Sequence, residues 1–141
     1  MQEIISDTNW ELLEECSIES ELDIVKARQS VRQYAKNEGM GIVDQTRITT
    51  AVSELFRNMY MYASGGIVLI EKGIIDGKST LIITCTDHGP GIEDLELVMT
   101  DGYTSGQGMG YGLPGAKRLV DRFEIYSEVN KGTTVRVMKW K

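Results

Sequence analysis

The chain has 141 residues, 41% of them hydrophobic and 26% charged, with a formal net charge of −6; at this length one domain buries about 70% of its extended surface. The acidity argues against nucleic acid as the main ligand, because duplex binding rests largely on neutralising phosphates, and no apolar run approaches the roughly 20 residues that cross a membrane. The start, MQEIISDTNWELLEE, lacks the basic-then-apolar order of a signal peptide, and the expected compartment is the cytoplasm.

Residues 1–23 carry eight acids (Glu3, Asp7, Glu11, Glu14, Glu15, Glu19, Glu21, Asp23) and no Lys or Arg, against 13 acids and 15 bases in the remainder. Such a run reads as a solvated face, with a docking element as the other reading; residues 1–15 are expected to be an acidic, flexible leader to a single domain spanning 1–141. Residues 16–22 alternate in a weakly strand-like way. Asp23 is placed to cap a helix whose apolar positions are Ile24, Ala27, Val31 and Ala35, ended by Gly39 and Gly41. Asp44 is placed to cap a second helix with the stripe Ile48, Ala51/Val52, Leu55, Met59 and Tyr62, stopped by Gly65-Gly66.

Two strands follow, 67–73 and 79–86, joined across Asp76-Gly77, a hairpin dipeptide because its turn needs positive φ. Residues 87–112 are glycine-rich and irregular, with a short helix near 94–99. Pro114 opens a helix over 113–121. Strands 123–129 and 133–140 close the chain as a hairpin across Asn130-Lys131-Gly132. Helices first and antiparallel strands late imply an α+β two-layer sandwich, a mixed and mostly antiparallel sheet with helices on one face.

The two cysteines, Cys16 and Cys85, sit in apolar runs and read as reduced, buried thiols; neither has metal-ligand spacing, and His88 is the single histidine. A zinc or other transition-metal site is therefore not expected.

Four groups of residues carry candidate chemistry. Glu54 and Asn58 are i and i+4 on the second helix, so both project from one face: a proton acceptor beside a neutral oxygen that suits Mg²⁺ already chelated by phosphates, or simply an exposed polar pair. Asp87-His88-Gly89-Pro90-Gly91 follows an apolar strand. An aspartate there can accept from the exocyclic amine of a buried adenine, with Gly89 and Gly91 letting a base approach the backbone, or the segment is a turn and nothing more. Gly106, Gly108, Gly110 and Gly112 run into a helix and would expose successive N–H groups as a polyphosphate cradle, the other reading being a flexible loop. Gly110, Gly112 and Gly115 satisfy the dinucleotide fingerprint, but no strand precedes them, and no P-loop motif occurs. Thr133, after Gly132, could bond an adenine edge or a bridging water, yet threonine is common in strands.

In this order, E-x-x-x-N on a helix, strand-D-x-G-x-G, G-x-G-x-G-x-G before a helix and a final strand G-T, the set resembles the GHKL (Bergerat) ATP site over roughly residues 16–141. Within that superfamily the stretches DQTRITTAVSELFRN and GLPGAKRL and the ending Met-Lys-Trp are similar to the RsbT-type switch kinases of bacterial stress-response and anti-sigma pathways. The resemblance implies a serine/threonine kinase using ATP and Mg²⁺. Asp87 would bind the adenine amine with Thr133 in support, and Gly89 and Gly91 would shape the pocket. Asn58 would hold Mg²⁺, and Gly106, Gly108, Gly110 and Gly112 would wrap the phosphates, with residues 94–111 as a lid. Glu54 would be the general base. Lys117 and Arg118 could reach phosphate or face solvent, His88 is a bystander, and Arg57 is left unassigned. The implied substrate is a STAS-domain protein, a stressosome-type scaffold or antagonist, with a PP2C-type phosphatase as a further partner. The alternative is a non-catalytic ATP-binding switch that sequesters or activates a sigma factor or phosphatase. The ATPase half of a histidine kinase is disfavoured, because the lone histidine lies in the Asp87 loop and no dimerising helical hairpin precedes the domain.

Overall fold

The structure, a computed structural model, describes residues 10–100 and 112–141. In them the chain runs β1 (Glu11–Ile18), α1 (Glu21–Asn37), α2 (Ile42–Ala63), β2 (Gly66–Ile75), β3 (Lys78–Asp87), α3 (Leu95–Val98), α4 (Leu113–Arg118), β4 (Arg122–Glu128) and β5 (Gly132–Trp140). The strands form one sheet in the order β1-β2-β3-β5-β4, antiparallel at all four pairings. Both expected hairpins form. β2 and β3 meet across a two-residue turn in which Asp76 and Gly77 have φ of 52° and 76°, the mirror-image geometry that matches strand twist.

Period-two alternation puts Leu81, Ile83, Cys85 and Asp87 on one face of β3, and their β5 partners from Lys139 to Thr133 on the same face. That face meets the helices. Val68, Ile70, Leu81, Ile83 and Val137 are fully buried against Ile48, Val52, Leu55 and Phe56 of α2, each such aliphatic side chain contributing roughly 1.5–3 kcal/mol by leaving water. The other sheet face is partly covered as well. Trp10 lies against Gly73, and its ring is 4.9 Å from the Arg136 guanidinium.

Three expectations are corrected. Of the leader assigned to 1–15, residues 11–15 belong to β1, paired with β2; residues 1–9 lie outside the described residues. Asp23 does not cap α1. Ser20 does, accepting from the Asp23 N–H at 3.1 Å, while Asp23 accepts from the Glu19 N–H at 2.9 Å, because a hydroxyl at the first non-helical position reaches the third helical amide. Asp44 does not cap α2 either. Gly41 holds that position without a side-chain bond, and Asp44 instead lies 3.4 Å from Lys139 Nζ. The α2 stripe also differs from expectation: it adds Gln45, Thr49 and Phe56 and ends at Met59, leaving Tyr62 half-buried, since the helix is packed by α1 on one side and by the sheet below.

Candidate functional site

Asp87 ends β3 and Thr133 opens β5 directly opposite it, so the inward-facing row of the sheet finishes in a carboxylate and a hydroxyl where α2 also ends. Between these elements lies a cleft of about 530 Å³, counting its open mouth. Leu55, Met59, Ile92, Ile125 and Val135 give it apolar walls, and Asn58, Asp87 and Thr133 supply its polar groups. Cys85 forms part of the lining; burial, then the charge of Asp87, pushes its thiol up and keeps it neutral.

Asp87 is held by two backbone donors. The N–H groups of Gly89 and Thr133 both donate to Oδ1, at 3.0 and 3.2 Å. Oδ2 accepts no bond among the described residues, and the carboxylate lines the cleft. The glycines around it are set by close packing. A Cβ on Gly89 would run into Ala63, one on Gly91 into the Glu128 carbonyl, and one on Gly132 into the Asp87 carbonyl. The Asn130 N–H donates to the Pro90 carbonyl at 2.8 Å, and the Ile92 N–H to Ser127 Oγ at 2.7 Å. The loop after β3 is thereby fastened to the β4–β5 hairpin.

Glu54 stands apart from the cleft lining. One turn before Asn58 on α2, it faces α4: a Cβ added to Gly112 would sit 2.5 Å from Glu54 Oε2. Its other oxygen accepts from Arg57 Nη1 at 3.1 Å. Gly112 has φ +66° as the residue before α4, a conformation glycine adopts without Cβ strain. Asn58, Asp87, Gly91 and Thr133 therefore meet in one cleft, with Gly89 against its rim and Glu54 with Gly112 at its α4 end. Gly106, Gly108 and Gly110 lie outside the described residues. Lys117 and Arg118 are on the exposed side of α4, and His88 is exposed beyond the lining.

Ser127 was not among the residues singled out from sequence. Its Oγ is 2.8 Å from Thr133 Oγ1 and 3.1 Å from the Gly132 carbonyl. Counting back across the Asn130-Lys131-Gly132 turn pairs Ser127 with Thr133, a signal available in the sequence once the hairpin is drawn. Chemically, the site offers an apolar slot ending in a carboxylate oxygen that accepts no bond among the described residues, suited to a flat heterocycle with an exocyclic donor, next to a carboxamide and a second carboxylate.

Residues 43–141 match the family of histidine kinase-, DNA gyrase B-, and HSP90-like ATPases. The chain is 50% identical over 123 residues to the serine/threonine-protein kinase RsbT of Bacillus subtilis, covering 87% of this chain and 92% of that one. It is 35% identical over 122 residues to an anti-sigma F factor of Clostridium perfringens, covering 82% and 85%. Among solved structures, the catalytic domain of histidine kinase ThkA superposes with a TM-score of 0.52 at 15% identity, covering 92% of this chain and 99% of that one. Full-length ShkA in complex with AMPPNP gives 0.55 at 16%, covering 90% of this chain and 31% of that one; these two likenesses concern the fold. The cleft and the matched sequence agree, and the chain belongs to the histidine kinase-, DNA gyrase B-, and HSP90-like ATPases, within them to the RsbT-like serine/threonine-protein kinases.

Proposed function

We propose that the chain takes ATP with Mg²⁺ in this cleft and phosphorylates a serine or threonine of a STAS-domain protein, acting in the cytoplasm as a kinase of a partner-switching, stress-response pathway. The observation that carries the reading is the meeting of Asp87 and Asn58 in one apolar cleft, with Glu54 one helical turn away. The residues present fit the nucleotide: Asp87 Oδ2 is an acceptor without a bond among the described residues, and the walls are apolar. Asn58 offers a neutral hard oxygen of the kind Mg²⁺ accepts beside phosphate oxygens. When bound, the ion offsets the charge of the phosphates.

Each residue then has a defined task. Asp87 accepts from the exocyclic amine, Thr133 assists at the base edge, and the walls exclude water from the ring. Glu54 accepts the hydroxyl proton of the protein substrate through Oε2, the oxygen not bonded to Arg57. Gly112, packed on that carboxylate, sets its distance from the phosphate end, where the glycines from Gly106 to Gly110 would act. Transfer of this kind depends on positioning and charge neutralisation more than on covalent chemistry.

The test is phosphoryl transfer from labelled ATP to a purified STAS-domain protein, followed by phosphosite mapping. Label on serine or threonine, lost with Glu54→Gln, supports the reading; no transfer to any STAS partner by nucleotide-loaded protein overturns it. The likeness to a protein named anti-sigma F factor supports a second activity, binding a sigma factor or a PP2C-type phosphatase. If Glu54→Gln protein still controls such a partner as the wild type does, binding rather than transfer is the output.

A further inference from the structure

The geometry points to Ser127 as a specificity-determining residue that makes Thr133 a proton acceptor toward the cleft and so selects a 6-amino over a 6-oxo purine. This inference rests on the reading that the cleft takes ATP. Ser127 Oγ sits among three polar groups: it accepts from the Ile92 N–H at 2.7 Å, donates to the Gly132 carbonyl at 3.1 Å, and lies 2.8 Å from Thr133 Oγ1. A serine hydroxyl carries one proton and two acceptor sites. With that proton on the Gly132 carbonyl, the short contact to Thr133 is made with the threonine's proton. Thr133, which lines the cleft, then has only lone pairs to turn toward it.

Asp87 Oδ2 is an acceptor at the same end of the cleft. Two acceptors side by side at position 6 match the two N–H donors of a 6-amino group, directly or through one water, and oppose the carbonyl oxygen of a 6-oxopurine. Asp87 supplies part of this discrimination. Ser127 adds the rest without touching the base, by fixing which way the threonine hydroxyl points. A site built around such directed bonds rejects a mismatched analogue because its own buried polar groups lose their partners.

The experiment compares affinities for ATP and inosine triphosphate in the full chain by calorimetry. The wild type should favour ATP. In Ser127→Ala the Thr133 proton is released and can turn into the cleft, so the ATP-to-inosine-triphosphate preference should fall about tenfold, mainly through tighter inosine triphosphate binding. A Ser127 that only braces the Ile92 loop would instead weaken both nucleotides equally, leaving the ratio unchanged and overturning the inference. Ser127→Thr, which keeps the hydroxyl, should restore the preference. In a Thr133→Val background, Ser127→Ala should alter the ratio no further; an undiminished effect there overturns the inference. If Ser127→Ala does not fold, Ser127→Cys, whose thiol is a weak hydrogen-bond acceptor, should narrow the preference likewise, and an unchanged ratio overturns the inference. Wild-type chain that binds ATP with no preference over inosine triphosphate sinks this inference alone, whereas wild type that takes up no ATP removes the nucleotide reading with it.

Discussion

Glu54 and Asp87 are both carboxylates, yet their surroundings differ, and the proposed roles can be separated by substitution. Asp87 is locked by two backbone N–H donors on one oxygen and aimed into an apolar cleft; Glu54 is more open, bonded to Arg57 and packed on Gly112. Glu54→Gln should keep ATP affinity while transfer falls by about 10²–10⁴, the usual contribution of a general base, as read by calorimetry beside a transfer assay. Asp87→Asn should do the reverse: an amide in place of the acceptor loses ATP affinity by at least about tenfold, and titration calorimetry would show it. Cys16 gives a pH dependence. Burial, then its bond to Glu14, pushes its thiol from 9.0 up to about 12. Below pH 9 both folded and unfolded thiols are protonated and the contribution is fully present. Above it the unfolded thiol ionises first, so stability is lost as pH rises toward 12. Denaturant midpoints between pH 8 and 10 should fall more steeply in the wild type than in Cys16→Ala. The carboxylates and the carboxamide could be read from sequence because their types and spacing are chemical statements. For Ser127 the sequence offered the hairpin pairing with Thr133 but not the Ile92 N–H or the cleft beside that pair, which only the fold brings there.

Among the elements, α2 and the final hairpin do most to build the site, and each is held in place by an identifiable contact. Lys139 on β5 is buried and lies 2.9 Å from Asp121 Oδ2 and 3.4 Å from Asp44 on α2; Asp121 also accepts from the Trp140 N–H at 2.9 Å. Asp121→Ala should lower stability by about 3 kcal/mol, because it leaves a buried ammonium with one partner of two; equilibrium urea unfolding measures this. The element boundaries were legible where turn chemistry was strong. Asp76-Gly77 and Asn130-Lys131-Gly132 mark hairpins whose backbone needs positive φ at Asp76, Gly77, Asn130 and Gly132. They were misread where two candidates competed. Ser20 and Asp23 both suit a helix start, and only the chain direction out of β1 makes serine the cap and aspartate its reciprocal partner. Likewise Asp44 looks like a cap in isolation, but the approach of β5 recruits its charge to Lys139.

At the scale of the whole molecule, the insertion of β5 between β3 and β4 is what makes a site. It sets Thr133 beside Asp87 across 46 residues of chain, and it brings the hairpin turn under the loop that follows β3. Because folding builds this cleft and unfolding abolishes it, ATP at a hundred times its dissociation constant should stabilise the protein by about 2.7 kcal/mol. Thermal unfolding should show a concentration-dependent rise in Tm that Asp87→Asn removes. The sequence by itself determined the local and chemical content: helices from apolar spacing, hairpins from turn dipeptides, and an ordered set of residue types resembling a nucleotide site. Those follow from near-neighbour physics, in which each residue's preference depends on the few positions around it. Only the tertiary structure decided that Asn58, Asp87 and Thr133 share one cleft while Glu54 stands at its α4 end, that residues 11–15 pair as an edge strand, and that the Ile92 N–H reaches Ser127 beside Thr133. Those outcomes depend on strand order and register, which are set by how distant apolar faces bury one another and leave no trace in local spacing.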